Sequence, residues 1–370
     1  MGAGRRGDAQ GAPSVSRGVR RFPVRLLVDL PNWVGDFVHA LPAVQGLLAA
    51  NRGGRTCLLV PEGHAEIARA TGAEVLARPP RAGLRWARAT LSGQFDVALS
   101  ARHSLRAKLL LAGCAAPVRL ASRGRGAALV GLHTFLVDRA RHQRHDLDGA
   151  LRSLGLPAIH AVPVRLPLSR RLRREGQELR RSVAGPDAVV ALLPGSHGMA
   201  EKRYPSERWA AVARELVQRG ARTVIVPGPG EEELGSLIAW AGGARLAPAV
   251  WPLAVVAAFL AACDGAAGND SGLTHLAAVV GCPTVAVFGP TDPERTAPVG
   301  GATIVRGHGA GDPLVVWPRP ATVAVALLAA VGGARTTREE RRWRPAVASD
   351  QAVSLHGDPG TSRIRVGVGR

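Results

Sequence analysis

Arg25-Leu-Leu-Val-Asp-Leu-Pro-Asn-Trp-Val-Gly-Asp36 is the stretch that decides the fold. Its apolar run, residues 25–30, has the length of a buried strand, and Pro31 and Gly35 punctuate the chain before a predicted helix over 37–50. Strand, tight loop and helix in that order make half of a βαβ unit. The same alternation recurs outward, with strands expected at 57–60 and 95–99. After a charged segment, Arg165 to Arg181, it restarts: strand 188–193, helix 207–218, strand 223–226, helix 253–262 and strand 284–288. The expectation is an α/β protein with two doubly wound parallel-sheet domains joined near 165–185. Such sheets bind ligands beyond the carboxyl ends of their strands. Function is therefore to be sought in the loops that follow strands.

A chain of 370 residues has room for two such domains. With 46% hydrophobic and 21% charged residues it is globular, which excludes collagen-like, coiled-coil and wholly disordered classes. The four cysteines (Cys57, Cys114, Cys263, Cys282) form no CxxC pair. That excludes a disulfide framework or a thiolate zinc site and suits a reducing compartment. Residues 1–20 contain no apolar stretch of a secretory signal. The uncharged run Leu246 to Cys263 contains Pro248 and Pro252 and reads as a loop and buried helix, not a membrane span.

The net charge of +20 is unevenly spread: +5 over residues 1–25, −2 over 26–77, +15 over 78–181, −2 over 182–333 and +4 over 334–370. A polyanionic partner such as a phosphorylated acceptor, an anionic membrane or nucleic acid would meet the first half. Residues 1–21 and 334–370 read as disordered basic tails, and 171–186 as a linker between domains 22–170 and 187–333. Nearly all the positive charge is arginine, 46 against two lysines, Lys108 and Lys202. A lysine kept against that bias carries more information than any single arginine.

Three loops carry chemistry. Pro31-Asn-Trp-Val-Gly-Asp36 puts a carboxylate in the first turn of a helix, where the dipole favours its ionised form and where it could take a proton from an acceptor hydroxyl. Spacing alone fits a plain dipole role for Asp36 better, and His39 reads as a packed or surface residue. Leu193 to Pro205 follows a strand; Gly195, Ser196 and Gly198 let backbone N–H groups approach a phosphate, and Lys202 offers a compact charge. Tyr204, the sole tyrosine, either packs on a ligand or braces the loop. This loop is neither a Walker loop nor a dinucleotide fingerprint. Gly268-Asn-Asp-Ser-Gly-Leu-Thr-His275 opens a helix whose free N–H groups suit a diphosphate. His275 lies one turn after Ser271 on the same face, although Asp270-Ser271 equally fits an ordinary cap and His275 a core histidine. Glu231-Glu-Glu233 could bond a ribose or sugar hydroxyl, but as a charge run it more often faces solvent.

Together these loops resemble glycosyltransferase family 9, the ADP-heptose:lipopolysaccharide heptosyltransferases. The matching text is Pro-Asn-Trp-Val-Gly-Asp36 with Leu41-Pro-Ala43, then Pro194-Gly195 with Ala200-Glu-Lys-Arg-Tyr-Pro205, then Asn269-Asp-Ser-Gly-Leu-Thr-His275 leading to Phe288-Gly-Pro-Thr-Asp-Pro293. Each is weak alone; three in register across residues 24–333 are specific, and they look more like the heptosyltransferase II branch. Tyr204 stands where members usually have Trp.

The resemblance implies a GT-B architecture, two Rossmann-like domains facing a central cleft, with acceptor on the first and nucleotide sugar on the second. It implies an inverting transfer of a heptosyl unit from ADP-heptose to a lipopolysaccharide inner-core hydroxyl. Asp36 is then the base, beside Trp33 and Gly35 on the acceptor side. Lys202 would stabilise the departing diphosphate. Gly195, Ser196, Glu231, Asp270, Ser271, Gly272 and His275 would complete the donor site, with no metal or cofactor. The implied acceptor is of the Kdo/heptose–lipid A type. The implied protein is a cytoplasmic monomer that touches the anionic inner membrane peripherally and binds no nucleic acid. Two alternatives stand beside this reading: a family 9 relative with another nucleotide sugar or acceptor, and a non-catalytic basic protein that binds nucleic acid or membrane. Aromatic residues, at 4%, are too few for the base stacking that single-strand binding needs.

Overall fold

A computed structural model describes residues 22–342 apart from 125, 128–129, 159–162, 185–186, 198, 249–250 and 308–316. The first half runs β1 (Arg25–Asp29), α1 (Val34–Ala50), β2 (Arg55–Pro61), α2 (Ala65–Arg69), β3 (Glu74–Arg78), α3 (Leu84–Leu91), β4 (Val97–Ser100), α4 (Leu105–Gly113), β5 (Val118–Ser122), β6 (His133–Phe135) and α5 (Asp148–Ser153). Helix α6 (Arg170–Ala184) leads into β7 (Val189–Leu193), α7 (Ser206–Gln218), β8 (Arg222–Ile225), α8 (Glu232–Gly242), β9 (Arg245–Leu246) and α9 (Leu253–Ala262). The rest is β10 (Gly265–Asn269), α10 (Gly272–Val279), β11 (Thr284–Phe288), α11 (Pro293–Thr296), β12 (Thr303–Arg306) and α12 (Pro320–Arg342).

Two six-stranded parallel sheets result, ordered β3-β2-β1-β4-β5-β6 and β12-β11-β10-β7-β8-β9. Counted from its own first strand, each has the order 3-2-1-4-5-6 or its mirror listing, the Rossmann arrangement. The expected pair of doubly wound domains is what the chain forms. The central strands are covered on both faces, which explains their continuous apolar runs. In the first sheet Leu26, Val28, Leu58 and Val60 face one core, while Leu27, Cys57, Leu59 and Ala98 face the other.

The order reverses between β1 and β4 in one sheet and between β7 and β10 in the other. These switch points open crevices beyond the strand ends. The loops after β1, β7 and β10 are the three whose sequence drew attention.

Two segments differ from their sequence reading. The stretch read as a linker, 171–186, is mostly α6, which packs along α9; Leu172 is buried and Gly176 lies against the backbone of Ala258. Helix α12 continues to Arg342, past residue 333 where a disordered tail was expected to start. Its Val323, Ala324, Leu327 and Val331 supply the apolar anchor in the second domain's core. The N-terminal tail, 1–21, and residues 343–370 lie outside the described residues.

Candidate active site

Helix α1 begins at Val34, so Val34-Gly35-Asp36 is its first turn and Asp36 stands at the mouth of the first crevice. The loop before it is braced from below. Asp29, fully buried, accepts hydrogen bonds from Arg78, from Arg102 Nε at 2.8 Å and from Ser100 Oγ at 2.8 Å. Arg78 also bonds Asn32 and the Leu30 carbonyl. A buried carboxylate between two guanidiniums is stable only with its lone pairs occupied, and here that occupancy anchors the Pro31–Asp36 turn.

Helix α10 packs against α1 across the cleft, first turn beside first turn. A Cβ on Gly272 would lie 2.9 Å from Val34 Cβ and 3.2 Å from Gly35 N, and one on Gly35 would lie 3.3 Å from the His275 ring. Only glycines allow the two helix starts this close. Ser271 is the N-cap of α10 but makes no side-chain capping bond, and the first-turn N–H groups have no helical carbonyl to bond. Two positive helix ends thus converge on one space.

Asp270, 4% exposed, is the hub of the second domain's side. Lys202 Nζ donates to its Oδ2 at 3.1 Å, Thr296 Oγ1 to the same oxygen at 3.1 Å, and His275 Nε2 lies 3.2 Å from Oδ1. Burial works against its charge, but the hydrogen bond and charge of His275, with the Lys202 ammonium, outweigh it and hold the carboxyl well below the usual carboxylate range.

Glu231 is not the solvent-facing residue its charge run suggested. It is 7% exposed; Oε1 accepts from Ser196 N at 2.8 Å and Oε2 from Gly228 N at 3.0 Å. It ties the loop after β7 to the loop after β8, and Gly195 leaves the space its carboxylate fills. Tyr204 braces the loop, with its hydroxyl donating to Pro318 O at 2.7 Å and its N–H to Asn269 Oδ1 at 3.0 Å. Asn269 Nδ2 donates in turn to Pro194 O at 2.6 Å. Gly198 lies outside the described residues.

Two cavities meet at Asp36. One of about 620 Å³ is walled by Gly195, Ser196, Lys202, Glu231, Asp270, Ser271, Gly272 and His275, with Trp33, Gly35 and Asp36 from the first domain. All the site residues expected from sequence thus border one space. The other, about 440 Å³, lies in the first domain and holds Arg102, His103, Arg139, Arg144 and Asp146, with Asp36, and Arg295 from across the cleft. Trp33 is 59% exposed and its ring lies 5.1 Å from that of His197 in the opposite domain.

The sequence reading missed Gln143, whose Nε2 donates to Asp36 Oδ1 at 2.8 Å from 107 residues downstream. It also missed Thr296 and Arg295. No motif announces them, since each acts through a neighbour brought near only by folding. His39 is 97% buried, with neither ring nitrogen hydrogen bonded, against His275 at 4.6 Å and His142 at 5.5 Å between ring centroids. Burial, then the neighbouring His275 and His142, push it well below the usual histidine range. Among the described residues no cluster of His, Cys, Asp and Glu could hold a metal ion.

The family model for glycosyltransferase family 9 (heptosyltransferase) matches residues 82–311. Lipopolysaccharide heptosyltransferase 2 of Salmonella typhimurium is 30% identical over 131 residues, 32% of this chain and 36% of that protein. The chain therefore spans about a third of the curated relative's length in that match. Among solved structures, the glycosyl transferase family 9 protein of Veillonella parvula superposes with a TM-score of 0.75 at 19% identity, covering 86% of this chain and all of that one. The ADP-heptose lipopolysaccharide heptosyltransferase II of Escherichia coli superposes with 0.71 at 20% identity, covering 84% and 99%. At that identity the superpositions speak for the fold.

Proposed function

The chain belongs to glycosyltransferase family 9, and from that premise we propose that it transfers a heptosyl unit from ADP-heptose to a hydroxyl of the lipopolysaccharide inner core. The carrying observation is that Asp36 borders both cavities, so one carboxylate can reach an acceptor in the smaller space and a donor sugar in the larger.

In this reading the acceptor O–H gives its proton to Asp36 as its oxygen attacks the anomeric carbon. The new C–O bond forms opposite the breaking bond to the diphosphate, so the configuration inverts, and the electron pair leaves on ADP. Lys202 and the first-turn N–H groups of Ser271, Gly272 and their neighbours stabilise that growing negative charge without a metal. Asp270 pairs with Lys202 at 3.1 Å and holds it at the wall of the larger cavity. Glu231 acts by holding Ser196 and its loop in shape. Trp33 and Gly35 shape the acceptor side.

The smaller cavity supports an anionic acceptor of the Kdo/heptose–lipid A type, because Arg102, Arg139, Arg144 and Arg295 outnumber Asp36 and Asp146 around it. Arg102 Nη2 is buried there without a hydrogen-bond partner. We read the protein as a cytoplasmic monomer resting on the inner membrane surface, its basic stretch 78–181 toward the anionic lipid. Among the described residues no helix is long and apolar enough to cross a membrane.

Calorimetry with ADP, UDP and GDP, followed by transfer from the matching heptose nucleotides, tests the reading. ADP should bind tightest and ADP-heptose alone should yield product. A preference for UDP or GDP would move the protein to another donor within the family. Salt-sensitive nucleic-acid binding with no nucleotide-sugar binding would overturn the enzymatic reading.

A further inference from the structure

Residues 138–148 of the first domain and 292–297 of the second face each other across the cleft. Arg295 donates to both carboxylate oxygens of Asp146, at 2.7 and 2.8 Å, and to the Arg141 carbonyl at 2.6 Å. The pair is mostly shielded, with side chains 24% and 16% exposed, and bidentate, so it is stronger than an ordinary surface ion pair. Two residues on, the Ala297 carbonyl lies 2.9 Å from His142 Nε2. Because Nδ1 of the same ring accepts the Arg144 N–H at 3.1 Å, Nε2 carries the proton and donates to Ala297. Burial, then Arg144, lower the His142 pKa to about 4, so the ring stays neutral in this role.

Neighbouring residues of each segment reach the reacting groups. Thr296, between the two gripping positions, donates to Asp270. Gln143, between His142 and Asp146, donates to Asp36. The bonds therefore run from Lys202 and Asp270, through Thr296, Arg295 and Asp146, to Gln143 and Asp36. Gln143 lies on a single 3₁₀ turn, Gln143–His145, too short to hold its own orientation.

We propose that these segments form a clasp that sets Asp36 against the donor, with Arg295 and Gln143 as positioning residues. The proposal rests on Asp36 being the base. Gln143 fixes one carboxylate oxygen and leaves the other for the acceptor hydroxyl, and Arg295 fixes the turn that carries Gln143. Gln143 lines the larger cavity but its amide is engaged by Asp36, and Arg295 lines only the smaller cavity, so neither is placed to hold the diphosphate and ADP affinity should not depend on them.

The test compares R295Q, D146N, their double variant, Q143A and the charge swap R295D/D146R. The readouts are kcat, KM, ADP affinity and melting temperature. R295Q, D146N and Q143A should each lower kcat about tenfold to a hundredfold, the loss expected when a reacting group is misplaced by about 1 Å. ADP affinity should stay within about twofold, and the double variant should be no worse than the poorer single, because both remove one link. The swap should restore part of kcat. Independently of turnover, fluorophores on Arg88→Cys and Ser236→Cys report the distance between domains; the native cysteines are buried and stay unlabelled. That distance should change in R295Q and D146N and not in Q143A. Unchanged kcat, independently multiplying losses or a parallel loss of ADP affinity would overturn the clasp. If the wild type transfers no heptose at all, the donor reading fails separately, and the distance readout alone decides the clasp: no change overturns it.

Discussion

Asp36 and Lys202 stand on opposite domains, and under the proposed roles of base and diphosphate partner their substitutions should separate by what each loses. Asp36→Asn keeps the shape and the Gln143 contact to Oδ1 but cannot take a proton. It should lower kcat by about 10² to 10⁴, the range for a lost general base, with ADP affinity unchanged by calorimetry. Lys202→Ala removes the ammonium from the diphosphate and from Asp270, so ADP affinity and kcat should fall together. Glu231 is a stability residue. Glu231→Ala strands the buried Ser196 N–H and the half-buried Gly228 N–H, and leaving a buried donor unpaired costs about 1–3 kcal/mol. Thermal melting should show the loss, and unchanged melting would contradict that role. Lys202 stood out as a lysine kept in an arginine-saturated chain, whereas for Asp36 spacing favoured a plain dipole role and the expected base role came only with the family resemblance. The burial of Glu231 was not, since Glu231-Glu232-Glu233 looks like a solvated run and only the packing of Gly195 and Gly228 opens a slot for its first member.

Among the elements, α1 and α10 do most to define the cleft, because their first turns touch. Gly272→Ala would put a methyl 2.9 Å from Val34 Cβ and 3.2 Å from Gly35 N, both on the opposite domain. Backbone cannot yield as a flexible side chain does, so the helices must part. The variant should fold yet lose kcat/KM at least tenfold, a shift of about 1.4 kcal/mol or more, measured by steady-state kinetics. Normal kinetics would show that the close approach is dispensable. The helix starts themselves were readable from Gly35-Asp36 and Ser271-Gly272; their meeting was not, because it depends on how two independently legible domains dock. Helix α6 escaped for a different reason. Its apolar stripe, buried at Leu172 and Gly176 and half-buried at Leu179 and Val183, keeps helical spacing, but arginines on the other faces gave the segment the look of a solvated linker.

For the whole molecule, buried neutral histidines set the acid limit. Burial, then Arg78, lower His64 from 6.5 to about 4, and His142 falls to about 4 as well. Above pH 6.5 these rings are neutral in both folded and unfolded chains. As pH falls from 6.5 toward 4 the unfolded chain binds protons that the folded one refuses, so stability is lost across that window. Asp270 behaves oppositely as an acid: its folded form is held ionised, and its contribution is lost only below its ordinary 3.8. Melting temperature should be flat above pH 7 and drop between 6.5 and 4, with His64→Gln weakening the drop; a flat profile down to pH 4 would refute it.

The apolar core of the first domain does not stop at the cleft. Ala254, Ala257, Ala258, Leu276, Val279 and Val299 of the second domain belong to the same cluster as Leu26, Leu41 and Leu58. The extended segment before α6 adds backbone bonds, Val164 N to Val299 O at 2.9 Å and Leu166 N to Val279 O at 2.8 Å. Halves that share a core cannot melt separately: losing one strips the other of its buried face. Scanning calorimetry should accordingly give one endotherm whose van't Hoff and calorimetric enthalpies agree. Either half expressed alone should expose the shared apolar face and precipitate, the behaviour of two nucleotide-type folds that unfold as one cooperative unit.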